Sequence, residues 1–411
     1  MASKTAKILI LGGGFGGLFT ALDLAGTGQL TLVSAQDHFL FKPMLYEYLS
    51  GEVDLWHIAP SFSELLDDVR IVRGAVEAID LEAREVVVAG QSAPLSYDVL
   101  VLAMGATTNY WGVEGAEEFT LPFREIQDAS NLRRRMTEAL DHIQPDAAPQ
   151  DTREALTFAV VGGGASGVEL STKMADLLRD AVKRRALRGE PRLIIIEMTD
   201  RLVPGMGDEI REYVERELER HRVEVHTRTR VARVTNTALT LEHNGRETEI
   251  QTSGVVWVAG VRINPVIETL KVEKDKRGLI VVDRTLQVRG HDNAFALGDI
   301  AFYPDVAPTL AGTAQLALQE AHLCARNVRA FLKGDELKTK NFVELGEALS
   351  LGTEHAAVLS AGKVMAGPLA RQARFAMYTA RLPTWHHRLR VGASWFFEGT
   401  EPRPLQPLGF L

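Results

Sequence analysis

One cysteine, Cys324, stands in 411 residues, so no intramolecular redox disulfide can form; a lone thiol fits a reducing compartment. No uncharged apolar segment approaches the roughly 20 residues of a spanning helix. Basic residues are outnumbered, with 46 Lys+Arg against 54 Asp+Glu and a net charge of −8, which argues against wholesale nucleic-acid binding. No low-complexity segment is visible, and the charged and hydrophobic fractions are those of an ordinary globular chain long enough for two or three domains. Lys4 and Lys7 precede an uncharged stretch from Ile8 to Leu22, superficially like a signal peptide. Five glycines fall inside it where a nucleotide loop needs them, and it is read as mature protein.

Glycine, by contrast, is placed with a period. Gly12, Gly14 and Gly17 in KILILGGGFGGLFTAL recur as Gly162, Gly164 and Gly167 in TFAVVGGGASGVELST. Each set follows a short apolar run that reads as a buried parallel strand and precedes a plausible helix, the context that gives GxGxxG its meaning. The first Gly makes the tight turn, the second lets backbone approach a pyrophosphate, and the third lets helix pack on strand. Helix N-terminal N–H groups then face the anion. Two such loops predict two dinucleotides and electron transfer between them.

Strand and helix signals alternate over residues 1–120, with strands at Lys7–Leu11, Leu30–Ser34 and Val99–Ala103. A second wound fold is expected over 121–264, with strands at Thr157–Val161 and Leu193–Glu197 and a helix from Ala165 to about Ala186. Residues 265–340 carry strand-like Ala294–Leu297, Gly298-Asp299 and a strong helix from about Thr313 to Leu332; residues 341–411 form a last segment. The predicted class is α/β, two Rossmann-like doubly wound dinucleotide-binding domains plus a C-terminal membrane-associating segment.

Glu197 closes the second strand of the second fold, where a carboxylate accepts hydrogen bonds from both ribose hydroxyls and repels a 2′-phosphate, favouring NADH over NADPH. The equivalent position in the first fold is Ser34, with Asp37 as a substitute or as a plain surface-turn acid. Asp299 follows an apolar strand beside Gly298, placed to accept hydrogen bonds from a polyol or to cap a helix. Gln315 and Gln319 share one helical face, where two amides either lie exposed or position a ring bearing carbonyl oxygens without adding charge. No metal site is predicted. Between Glu354 and Glu398 lie six bases (Lys363, Arg371, Arg374, Arg381, Arg388, Arg390), no acid, and interleaved aromatics. That mixture suits an anionic bilayer surface, or packing on the protein's own acidic body or a second subunit.

In this order these features resemble the two-dinucleotide flavoprotein oxidoreductases, whose fold is glutathione-reductase-like, and within them the type II NAD(P)H:quinone oxidoreductases. FKPMLYEYLSGEVD (Phe41–Asp54) followed by WHIAP is similar to the plastid and cyanobacterial branch associated with naphthoquinones and plastoquinone; RLPTWHHRLRVGASWF and AQLALQE are among the more specific segments, and the likeness covers nearly the whole chain. The resemblance implies FAD at Gly12, Gly14, Gly17 and, through its ribityl chain, Asp299. It places Val76 near adenine, Ala103–Gly105 at a glycine turn, and Lys42-Pro43 in a flavin-proximal loop. Ser34 stands where the family carries a ribose-binding acid. NADH falls to Gly162, Gly164, Gly167 and Glu197, with Glu169 and the Val258–Gly260 turn near the nicotinamide, and the quinone to the helix of Gln315 and Gln319. Glu169 is the best candidate for a catalytic acid. A homodimer on the cytoplasmic side of a membrane, attached peripherally, is the accompanying expectation. Sulfide:quinone reduction, which works through redox cysteines, is set aside on the single thiol. A reductase of a protein carrier and an NADH-sensing flavoprotein remain as alternatives.

Overall fold

The computed structural model describes residues 6–406 apart from 145, 304–311 and 361. The chain forms two compact units, each assembled from three stretches. The first takes the chain up to Phe41, Ala59–Thr107 and Val261–Leu345; the second takes Lys42–Ile58, Thr108–Gly260 and the residues from Gly346 onward.

In the first unit a six-stranded sheet runs, in spatial order, Gln287–Val288, His291–Ala296, Val99–Leu102, Lys7–Leu11, Gln29–Ser34, Arg70–Arg73. Only the two-residue edge strand is antiparallel. Lys7–Leu11 and Val99–Leu102 read as unbroken apolar runs because a parallel sheet is covered on both faces: Ile10, Leu11 and all of Val99–Leu102 have no exposed surface. The helix after the loop, Phe15–Leu24, packs on Ala314–Lys333, which Thr313 caps by accepting from Leu316 N. Arg70–Arg73 and Val76–Asp80 are two strands, separated at Gly74. The second belongs to a small antiparallel sheet with Glu85–Val88 and Leu95–Ser96.

In the second unit five parallel strands lie in the order Val223–His226, Arg192–Ile196, Thr157–Val161, Gly254–Trp257, Leu121–Pro122. The antiparallel strands Arg230–Val234, Ala238–His243 and Arg246–Gln251 pack on them through Leu239, Leu241, Ile194 and Trp257. The C-terminal stretch folds as a three-stranded meander, Glu347–Leu351, His355–Ser360 and Lys363–Gly367, then helices Pro368–Thr379 and Trp385–Glu398. Residues 42–58, read from sequence as part of the first domain, belong to this second unit, because the buried carboxylates of Glu47 and Glu52 find their cations here.

Candidate functional site

Both glycine loops sit where the strand order reverses. In the first unit the chain passes from Lys7–Leu11 to Gln29–Ser34 on one side, while Val99–Leu102 pairs on the other. A Cβ on Gly12 (φ 107°) would collide with Ala103 O, and one on Gly17 with Gly12 O, whereas a Cβ on Gly14 would meet nothing within 4 Å. Two glycines are thus demanded by close backbone approach, and the third opens the space at the helix N-terminus that a pyrophosphate needs. Ala103 N donates to Leu11 O (2.8 Å) and Gly105 has φ 63°. Ser34 Oγ stands beside Gly13 and accepts from Gln36 N at 3.2 Å; the Asp37 carboxylate lies against His38 and Arg73. Val76 opens its strand, paired with Val88.

Asp299 lies in the one-turn 3₁₀ helix Gly298–Ile300 and does not cap the long helix, a position taken by Thr313. Gly298 (φ 74°) donates its N–H to Glu320 at 2.7 Å. Glu320 went unnoticed in the sequence, although it is one acid among the apolar residues of ALQEAHLCA. It is 1% exposed, and burial pushes its pKa up to about 8 in spite of the Gly298 N–H. Gln315 and Gln319 do share a face, and both are engaged: Gln319 exchanges two hydrogen bonds with the Val343 backbone (2.8 and 3.0 Å), and Gln315 Oε1 accepts from Leu345 N at 2.9 Å. Cys324 is fully buried, and burial raises its thiol pKa.

The second unit repeats the construction. A Cβ on Gly162 (φ 115°) would lie 3.0 Å from Ala259 N and Cα, one on Gly167 would strike Gly162 O, and one on Gly164 would meet nothing within 4 Å. Glu197 sits just past the end of its strand, its carboxylate accepting from Gly163 N and Thr199 N at 2.7 Å each. The expected acid is therefore beside the loop, where the first unit has Ser34. Gly260 has φ 98°.

Glu169, on the helix Ala165–Arg184, is 6% exposed. Its Oε1 accepts from Ser350 N (2.8 Å) and Arg374 Nη2 (3.2 Å). Burial nevertheless dominates and lifts its pKa to about 7, suited to giving and taking a proton near neutrality. Around it lies a charge cluster that the sequence did not reveal. Arg374 also holds Glu47 at 2.6 Å, Lys173 pairs with Glu52 and lies 3.6 Å from Glu47, and Arg371 reaches Glu52 at 2.7 Å. Burial works against the Glu47 charge, but Arg374 and Lys173 outweigh it and hold the carboxyl below its usual range. Arg371 and Arg374 thus serve the interior, and Phe375, Tyr378 and Leu382 are buried too, which corrects their reading as part of a basic aromatic surface. Outward-facing instead are Leu369 (77% exposed), Trp385, Leu389, Phe396 and Phe397 (82%), with Lys363 and Arg390. Lys42 belongs to this unit, 3.8 Å from Glu125.

A family model described as pyridine nucleotide-disulphide oxidoreductase matches residues 6–321. The chain is 36% identical to demethylphylloquinone reductase NdbB of Synechocystis sp., covering 96% of each. It is 32% identical to alternative NAD(P)H-ubiquinone oxidoreductase C1 of Arabidopsis thaliana, over 96% of the chain and 81% of that protein, and 30% identical to type II NADH:quinone oxidoreductase NdhA of Mycobacterium tuberculosis, over 95% and 86%. In fold it is similar to the solved NDH2 of Plasmodium falciparum in complex with NADH, with TM-score 0.86 at 18% identity over 98% of this chain and all of that one. The chain belongs to the pyridine nucleotide-disulphide oxidoreductase family, in its type II NADH:quinone oxidoreductase branch.

Proposed function

We propose that this chain takes hydride from NADH and passes two electrons through FAD to a membrane quinone of the menaquinone or naphthoquinone type, without proton pumping. The carrying observation is a GxGxxG loop at the switch point of each of two parallel sheets, with the Glu197 carboxylate bound to the backbone of the second. FAD fits the first unit, where Gly12 and Gly17 allow the close backbone approach of the loop, Gly14 leaves room for a pyrophosphate, and Asp299 would accept from the ribityl hydroxyls. When bound, it supplies a two-electron carrier between donor and acceptor.

The residues do the rest. The N-terminus of Ala165–Arg184 and Gly162, Gly164 and Gly167 receive the NADH pyrophosphate, and Glu197 accepts from the adenosine ribose while repelling a 2′-phosphate. Gln315 and Gln319 offer amides to the quinone's carbonyl oxygens in exchange for the Val343 and Leu345 backbone they hold. Glu169 supplies a proton near neutrality, so Glu169→Gln should slow turnover while leaving FAD bound; an unaltered rate removes Glu169 from the mechanism.

The exposed aromatics of Trp385–Glu398, with the exposed Arg390 on the same helix, support a peripheral seat on an anionic membrane, on its cytoplasmic side, with a homodimer as the working assembly. Among the described residues no helix is long and apolar enough to cross one.

The test is anaerobic: NADH is added to the FAD-loaded protein, the flavin band is followed, and a soluble naphthoquinone is mixed in. Rapid bleaching and rapid recovery support the reading. Bleaching without recovery points to a protein acceptor or a sensor, and no bleaching overturns the role of the second loop.

A further inference from the structure

The second unit's sheet order places Thr157–Val161 between Arg192–Ile196 and Gly254–Trp257. An open α/β sheet binds its ligand in the crevice outside the carboxyl ends of the strands at such a reversal. Glu197 marks one side of this crevice and the Gly162–Gly167 loop its floor. The opposite lip is the Val258–Gly260 turn, whose Ala259 backbone closes on Gly162. With the adenosine ribose at Glu197 and the pyrophosphate on the loop, the far end of a dinucleotide extends toward that lip.

The lip carries a side chain used by none of the roles above. Trp111 is 68% exposed, and its φ of 54° is the left-handed region that bulky residues avoid. A chain of hydrogen bonds keeps it there. Trp111 Nε1 donates to Ala259 O (2.6 Å) and Trp111 N to Asn109 Oδ1 (2.9 Å). Asn109 N donates to Gly260 O (3.2 Å), and Trp257 Nε1 to Asn109 O (2.9 Å). The indole lies on Gly260, where a Cβ would come within 3.1 Å of its Cζ2. Burial is no return for this strain, since most of the indole faces water; strained residues held by a surrounding network are characteristic of ligand sites.

We propose that the Trp111 indole is the aromatic wall over the nicotinamide end of the second unit's dinucleotide site. This rests on the assignment of that site to NADH. A planar ring packs on the indole face by area in its reduced, neutral form, and a pyridinium adds attraction to the π face.

The test is calorimetric titration of the FAD-loaded protein with NAD⁺ and, separately, with ADP-ribose, which lacks the nicotinamide. Trp111→Gly removes the indole and suits the left-handed backbone, so the nucleotide-free protein should melt no lower than the parent. NAD⁺ binding should weaken about tenfold or more, with ADP-ribose binding unchanged. Trp111→Phe keeps a ring without the bond to Ala259 O and should fall between. Equal weakening of both ligands, or of neither, overturns the wall. A parent that binds ADP-ribose but not NAD⁺ overturns the wall, and one that binds neither overturns the NADH reading with it.

Discussion

Replacing Glu320 by Gln keeps an oxygen that can accept from Gly298 N and removes the titratable carboxyl. In the folded protein burial lifts this carboxyl from 4.5 to about 8. Between those values the native state keeps a proton that the unfolded chain has lost, so stability falls as pH rises through the window. Below it both states are protonated and nothing is lost; above it both are ionised and the full cost remains. A shift of this size corresponds to about 5 kcal/mol at most, at about 1.4 kcal/mol per unit. The Gln variant carries no such term, so its advantage over the parent should grow by about 2–5 kcal/mol between about pH 5 and about pH 8.5. Urea unfolding of both proteins across that range, with FAD held at one saturating concentration, reads this difference directly. Titrating groups other than its electrostatic neighbours Asp299 and Cys324 are common to the two curves and cancel. Parallel curves, within about 0.5 kcal/mol throughout, would refute a neutral buried Glu320.

Lys173→Met should cost about 3–5 kcal/mol, because the carboxylates of Glu52 and Glu47 stay buried with fewer cations; adding Glu52→Gln should return part of it, and a chevron or midpoint series showing no rescue would sink the pairing. Glu197→Ser should narrow the preference for NADH over NADPH in steady-state kinetics, and a parent that uses both equally well would show the acid to be idle. Phe396→Ser with Phe397→Ser should lower retention on anionic liposomes, with salt releasing part of what remains; unchanged retention removes that face from the membrane. Point changes are the right probe here, since truncation before Arg371 would strip the partners of Glu47, Glu52 and Glu169 from the interior.

What residue order alone determined is everything with a local cause. The parallel strands are legible because continuous apolar runs suit a doubly covered sheet. The glycine loops are legible because a Cβ at Gly17 or Gly167 collides within its own turn, whereas the close approach of Ala103 to Gly12 and of Ala259 to Gly162 comes from the neighbouring strand's end. Glu197 follows from its distance to the loop. Tertiary structure alone decided which charges are interior. Nothing in their own segments marks Glu47, Glu52 and Lys173 as partners of Arg371 and Arg374, and the five meet only because stretches more than 100 residues apart close into one unit. Burial and pairing belong to the segments that meet, not to any one of them. The same reason hid Glu320 under the Gly298 turn, gave the amides of Gln315 and Gln319 to a distant backbone, and set Trp111 on Gly260.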